Sequence, residues 1–324
     1  MELRHLRYFV AVAEELNFTR AAKRLGISQP PLSLQIRQLE KEMGVPLLRR
    51  QRRGVELTNV GMLMLEEARV ILKQIDQTKT DVRRRARGEA GSINIGAGGG
   101  TYFHPLIPSI IREYRMRYPD VILAPETSNS PLLVARLRAR LIDVAFIWPP
   151  ISDRKDLMLE PLFDEEIVII VPLGHALSGA SSAPLAALAE EPFILPPREV
   201  NPGVFDSIIA ACHRAGFNPK LGPEVPQVVS TVPIVAAGLG VSIIPRCISR
   251  IKIDGVVYVP IEGDAPQAGV SLAYRSDDRS STVQNFVAVA RRARGIANLR
   301  ESEDAAIKNR RTATLTSRGR PNVS

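Results

Sequence analysis

Apolar and polar residues alternate with helical period at the start of this chain. Over Leu3–Leu16 the apolar positions Leu6, Phe9, Val10, Ala13 and Leu16 recur at helical spacing, which predicts an amphipathic helix with one buried face. His5, between Arg4 and Arg7, falls on its outer side. Ala21, Ala22 and Leu25 give a second, short helix, and Gly26 supplies the backbone freedom that ends it. Ser28 offers an N-cap, with Pro30 and Pro31 in the first turn, where a missing N–H costs no intrahelical bond. Along the helix that follows, Leu32, Ile36 and Leu39 recur at i, i+4 and i+7. They face inward and turn Gln29, Pro30, Ser33, Leu34 and Arg37 mostly outward.

Asn59–Arg87 contains no proline and reads as one long helix. Met64, Ala68, Ile71, Ile75, Thr78 and Val82 form a heptad seam along it, and such a seam needs a partner. Beyond it, β-branched runs alternate with helical stretches. Ser92–Gly96, Val121–Ala124, Asp143–Trp148, Ile167–Val171, Pro192–Leu195, Gly240–Ile244 and Val270–Tyr274 predict strands. Pro105–Tyr118, Pro131–Arg140, Pro184–Glu190, Val204–Gly216, Pro233–Gly238 and Thr282–Arg294 predict helices. That alternation predicts an α/β architecture with a largely parallel sheet. Residues 295–324 lack apolar periodicity and read as a disordered basic tail.

Two short helices around a glycine turn, the second with a polar outer edge, read as a helix-turn-helix. Downstream, Arg49, Arg50, Arg52 and Arg53 crowd a turn between two apolar segments, which suits a basic wing against phosphates. Charge placement agrees with this. Residues 1–90 hold 18 Lys/Arg against 11 Asp/Glu, whereas residues 91–294 hold 19 against 20. A positive field confined to one end suits nucleic acid bound there. No signal-type run or membrane-length apolar stretch occurs, so the expected location is cytoplasmic, with no membrane partner.

The stretch MELRHLRYFVAVAEELNFTRAAKRLGISQPPLSLQIRQLEKEMGVPLLRRQRRGVELTNVG resembles the winged helix-turn-helix that opens a LysR-type transcriptional regulator. The resemblance continues more weakly to about residue 294. It implies a mainly α winged helix-turn-helix over 1–58, a linker and dimerisation helix over 59–90, and an α/β effector domain over 91–294. That domain would have two lobes, about 91–162 with 267–294 and about 163–266, like a periplasmic solute-binding protein. The chain would cross between them near Leu162–Glu166 and Gly263–Gly269. Expected partners are double-stranded operator DNA and further copies of the chain, a dimer and by the family a tetramer, with RNA polymerase left open. The DNA-facing residues expected are Arg20, Ser28, Gln29, Pro30, Pro31, Ser33, Leu34, Arg37, Arg50, Arg52 and Arg53. Gln29, Pro30, Pro31 and Ser33 would approach base edges, and the arginines mainly phosphates. Leu34 departs from the family, whose members often carry a basic residue there. It suits a thymine methyl instead.

Gly96-Ala97-Gly98-Gly99-Gly100-Thr101 follows a predicted strand and precedes a helix, but it misses the dinucleotide spacing because Thr101 stands at the third glycine position. The turn suits an anion held by backbone N–H groups, with the Thr101 hydroxyl as an added donor. Ser128, Asn129 and Ser130 open a second such turn, with Ser130 read as N-cap and Pro131 after it. The resemblance implies that the hydroxyls of Thr101 and Ser130 contact a carboxylate effector, and that Pro202-Gly203-Val204-Phe205 is a third contacting turn, with Gln227–Thr231 nearby. Trp148 reads either as a stacking residue at the cleft rim or as packed core. The opening sequence looks most like regulators of aromatic-acid catabolism, so an aromatic or dicarboxylic acid is the expected co-inducer, with no cofactor. His5, His104, His175 and His213 lack metal spacing or an adjacent nucleophile, and Cys212 and Cys247 read as reduced core residues. No catalytic set or metal site is expected. His104, near the anion turn, is the one histidine of interest. The alternatives are a solute-binding protein or a dinucleotide-binding protein carrying an unrelated helical domain.

Overall fold

The computed structural model describes residues 1–51, 54–151 and 153–317, and for residues 300–317 the helical backbone only. The chain divides into two compact units, Met1–Arg85 and Ala86–Ser324.

The first unit comprises α1 (Leu3–Glu15), α2 (Phe18–Leu25), α3 (Gln29–Met43), a hairpin of β1 (Leu48–Gln51) and β2 (Gly54–Leu57), and α4 (Asn59–Ala86). Leu6, Phe9 and Val12 of α1 bury against Ala21, Ala22, Leu32, Ile36, Leu39 and Leu47. Asn17 caps α2 by accepting from the Thr19 and Arg20 amides, and Gly26 ends it at φ 69°. Glu40 Oε1 accepts from the amides of Leu47 and Leu48 at 2.9 and 3.0 Å, tying the start of the hairpin to α3. His5, expected on the outer face, is buried instead. Its Nε2 lies 2.9 Å from Gln35 Oε1, so a polar residue of α3 satisfies it inside the core.

The seam on α4 is split. Ala68 is fully buried, and Met64 packs beside it against the core of its own unit. Val60, Met62, Leu63, Val70, Ile71 and Val82 are the large apolar residues of the helix left facing solvent. The heptad pattern counted one helix face where two adjoin, the first used internally and the second uncovered.

The second unit is built on β3 (Ala90–Gly98), α5 (Leu106–Arg117), β4 (Asp120–Ser128), α6 (Ser130–Arg138), β5 (Val144–Ile147) and the 16-residue β6 (Leu157–Pro172). β7 (Pro192–Phe193), α7 (Pro202–Arg214), β8 (Lys220–Leu221), α8 (Thr231–Ala236), β9 (Ser242–Pro245) and β10 (Val256–Pro260) follow, then β11 (Gln267–Arg275) and α9 (Ser281–Ser317). One lobe is the sheet β4-β3-β5-β11-β6, with α5 and α9 on one face and α6 on the other. The other lobe gathers β9, β10, α7 and α8 around the second half of β6. β6 serves both: Leu157–Glu166 pair with β11, and from Ile167 onward the strand pairs with β9 and β10.

Three expectations change. The sheet is not largely parallel: β3 runs parallel to β4 and β5, but β11 is antiparallel to β5 and β6, and β6 to β9 and β10. A strand leaving one lobe and a strand returning to it lie side by side, and so run in opposite directions. The helix expected over Pro184–Glu190 is a short 3₁₀ turn, Leu185–Leu188. The tail expected to be disordered from residue 295 instead continues α9 to Ser317. Between Ile296 and Ser317 there is neither glycine nor proline, and alanine, arginine and glutamate keep the backbone helical without an apolar face. The rest of that tail, residues 318–324, lies outside the described residues.

Candidate DNA interface and effector cleft

Gln29, Pro30, Pro31, Leu34 and Arg37 are exposed along the first turns of α3. Ser28 holds the N-cap position, but its hydroxyl makes no cap hydrogen bond. Ser33 does not face outward with them: it is 6% exposed, and its hydroxyl accepts from Arg50 Nη2 at 3.2 Å. Arg37 Nε donates to the Ser33 carbonyl at 3.4 Å, and the Arg50 guanidinium sits 5.9 Å over the Phe18 ring. Ser33 therefore gathers one cation from α3 and one from the wing. Arg20 pairs with Glu15 at 3.4 Å. Arg52 and Arg53, also expected at the wing, lie outside the described residues.

In the second unit, the glycine turn after β3, the start of α6 and the start of α7 meet between the lobes. Thr101 is fully buried, and its hydroxyl donates to Gly98 O at 2.9 Å, so the donor expected for an anion is spent inside the turn. Gly100 adopts φ 91°, and a Cβ there would lie 3.1 Å from Ile248 Cδ1. Asn129, not Ser130, caps α6, its Oδ1 accepting from the Leu132 amide at 2.8 Å. Ser130, one residue inside the helix and 2% exposed, donates its hydroxyl to Asn201 Oδ1 at 3.0 Å and accepts from the Trp148 amide at 3.1 Å. Ser128 accepts through its carbonyl from the Gly99 amide.

Trp148 is core rather than rim: it is 2% exposed, and its Nε1 donates to Gly99 O at 3.3 Å. Gly203 packs so closely on Pro149 that a Cβ would lie 2.3 Å from its carbonyl oxygen. Val204 is buried, and Phe205 packs partly buried against the same core. Asn201, absent from the sequence reading, is the residue that answers Ser130 from the other lobe. An asparagine directly before Pro202-Gly203 was the available signal. Cys247, read only as core, points its thiol toward Gly100 O at 3.6 Å.

Beside Asn201 a cavity of about 20 Å³ is lined by Leu195, Val204, Phe205, Ile208, Val228 and Ile243. Such a space holds about one water, whereas ligand pockets run to about 300–1,000 Å³. Beside Asn201 the cleft is filled by its own side chains, with the Ser130 hydroxyl satisfied by Asn201 and the Trp148 amide. The buried side-chain hydrogen bond between the lobes that would yield to an organic ligand is Ser130–Asn201.

A winged helix-turn-helix followed by a two-lobed α/β module defines a ligand-responsive DNA-binding protein. Comparison with known proteins gives the family. Residues 3–62 match "Bacterial regulatory helix-turn-helix protein, lysR family", and residues 86–295 match "LysR substrate binding domain". The chain belongs to the LysR family of transcriptional regulators. It is 40% identical over 288 residues to the HTH-type transcriptional regulator BudR of Raoultella terrigena, covering 89% of this chain and 99% of that one. It is 33% identical to the Hca operon transcriptional activator HcaR of Escherichia coli, covering 89% and 97%. Among solved structures, full-length CbnR complexed with its target DNA matches with a TM-score of 0.79 at 28% identity, covering 91% and 100%. Full-length BenM matches at 0.57 and 31%, covering 92% and 98%. The protein is a DNA-binding transcriptional regulator with a small-molecule-binding domain, not an enzyme. Among the described residues, no helix is long and apolar enough to cross a membrane.

Proposed function

We propose that this regulator reads operator DNA with Gln29, Pro30, Pro31 and Leu34, and holds phosphates with Arg37 and the wing arginines Arg50, Arg52 and Arg53. Arg20 and Ser28 flank that surface. A small carboxylate, aromatic or dicarboxylic, occupies the cleft between the lobes. It takes the place of the Asn201 amide on the Ser130 hydroxyl and rests on the apolar wall of Val204, Phe205 and Val228. Gly100, Thr101, Ser128, Asn129, Trp148 and Gly203 shape the two walls. Residues 1–58 serve DNA binding, 59–90 pairing and 91–294 effector binding, in a cytoplasmic dimer or tetramer that engages RNA polymerase at the promoter. The observation that carries this reading is the buried Ser130–Asn201 hydrogen bond, a polar link between lobes whose breakage a ligand carboxylate can offset.

Thermal unfolding against aromatic carboxylates, dicarboxylates, nucleotides and amino acids tests it. A carboxylate at 100 times its dissociation constant adds about 2.7 kcal/mol of stability. That gain should fall at least tenfold in affinity in Ser130→Ala while the free protein melts within a few degrees of wild type. A nucleotide that stabilises where every carboxylate is silent would overturn the carboxylate assignment.

A further inference from the structure

The glycine turn that bonds Trp148 runs on through the 3₁₀ turn Thr101–Phe103 into His104, at the junction of the lobes. His104 Nδ1 accepts from the Leu106 amide at 3.3 Å, so the neutral ring carries its proton on Nε2. That nitrogen faces Glu165 Oε2 at 3.6 Å. The imidazole stacks on Phe163 with ring centroids 3.6 Å apart. Glu165 is 6% exposed and sits two residues before β6 changes lobes. Opposite it on β11 is apolar Ala268. From the second lobe it meets the backbone of Cys247 and the charges of Arg246 and Arg250, and Glu166 is its acidic neighbour. Arg246 is itself paired with Glu166 at 2.6 Å. The Cys247 thiol is pushed up by burial and so stays protonated.

Nothing in the DNA or effector reading uses this pair. An imidazolium here would need a proton on Nδ1 and would lose the Leu106 hydrogen bond. A carboxylate here would be a charge held out of water. We propose that His104 and Glu165 form a one-proton pair at the lobe junction, neutral on both partners while the junction is closed and an imidazolium–carboxylate pair when it is solvated. On opening, the proton leaves the Glu165 carboxyl and, through water, one arrives on His104 Nδ1, freed from Leu106. No net proton is taken up or lost.

The titration directions agree. Burial, with Arg250 adding to it, lowers His104 from 6.5 to about 4, and burial raises Glu165 from 4.5 to about 7. The half-buried histidine costs nothing above about 6.5, and costs stability as pH falls from there toward 4. The buried glutamate costs nothing below about 4.5, and costs stability as pH rises from there to 7. The two slopes oppose each other, so the pair leaves lobe closure nearly independent of pH between about 4.5 and 6.5 and isolates the cleft from mild acid.

Removing either partner exposes the other's slope. Thermal midpoints of the full chain, measured at intervals between about pH 5 and 7.5 and taken as differences from wild type, test this. In His104→Asn the difference grows more negative as pH rises, and in Glu165→Gln it grows more negative as pH falls. Emission of the sole tryptophan, Trp148, moves to the red along with each loss. Differences that are flat, or of the same sign, overturn the proposal, as does emission that does not follow the midpoints. Should either variant fail to fold, histidine-labelled NMR of the wild type decides. The His104 signal, identified by the upfield shift that Phe163 stacking imposes, stays at its neutral value down to about pH 5. A midpoint near the ordinary histidine value overturns the proposal.

Discussion

At the scale of single residues, the proposed DNA reading divides α3 between groups that would specify and groups that would position. Gln29 and Leu34 are exposed and project from the first two turns, whereas Ser33 between them is buried beneath Arg50. Three substitutions therefore separate. Gln29→Ala is expected to relax preference at one base position at a cost of about 1–3 kcal/mol. Leu34→Arg is expected to change the preferred base, because a guanidinium prefers guanine where a leucine suits a thymine methyl. Ser33→Ala removes only the acceptor that orients Arg50, and should weaken all sequences alike by about 0.5–1.5 kcal/mol. Sites selected in vitro with each variant and titrated at fixed salt distinguish these outcomes. Uniform weakening by Gln29→Ala would remove it from base readout.

At the scale of elements, close approaches of backbone carry the joints of the fold. Gly61 in the first turn of α4 lies against the hairpin so tightly that a Cβ would stand 2.0 Å from Leu47 O. Thr58 accepts the Gly61 amide at 2.9 Å and donates its own amide to Leu47 O. Gly61→Ala should cost about 1–3 kcal/mol and lower the melting midpoint of the DNA-binding unit by about 4–8 °C per kcal/mol. An unchanged midpoint would mean the hairpin shifts freely. The helix-turn-helix was legible because its signals are local: Gly26, Ser28 and Pro30 punctuate it, and Leu32, Ile36 and Leu39 show its inner face. His5 and Ser33 were misread because burial by a partner distant in sequence, Gln35 or Arg50, leaves no mark on helical period. The cleft was half legible for a similar reason. The turns at Thr101 and Ser130 announce themselves through glycine and proline, but the role of Asn201 appears only once the fold brings it, 71 positions on, against Ser130. Strand direction was not legible at all, since an antiparallel return strand and a parallel one share the same apolar run.

At the scale of the whole molecule, the uncovered face of α4 is the feature most in need of a partner. Val70 and Val82 are 64% and 62% exposed, on a helix that packs on its own unit only through its first half, by Gly61, Met64, Leu65, Ala68 and Leu72. Apolar residues repeated along a helix in water drive pairing of helices. Val70→Lys together with Val82→Lys should shift the sedimenting species toward the monomer while leaving the helix content unchanged. Retention of the wild-type sedimentation rate would place the pairing surface elsewhere.

The strand β6 also bears on how such a molecule can change over time. It lies between β9 and β10 in one sheet and flanks β11 in the other, so neither lobe owns a complete sheet. A recombination that exchanged only residues 173–260 with a sister gene would bring in β9 and β10 without the strand they were fitted to. Such a chimera would have to refit β9 and β10 to a foreign β6, whereas an exchange carrying β6 and β11 along with them would keep every strand with the partner it was fitted to.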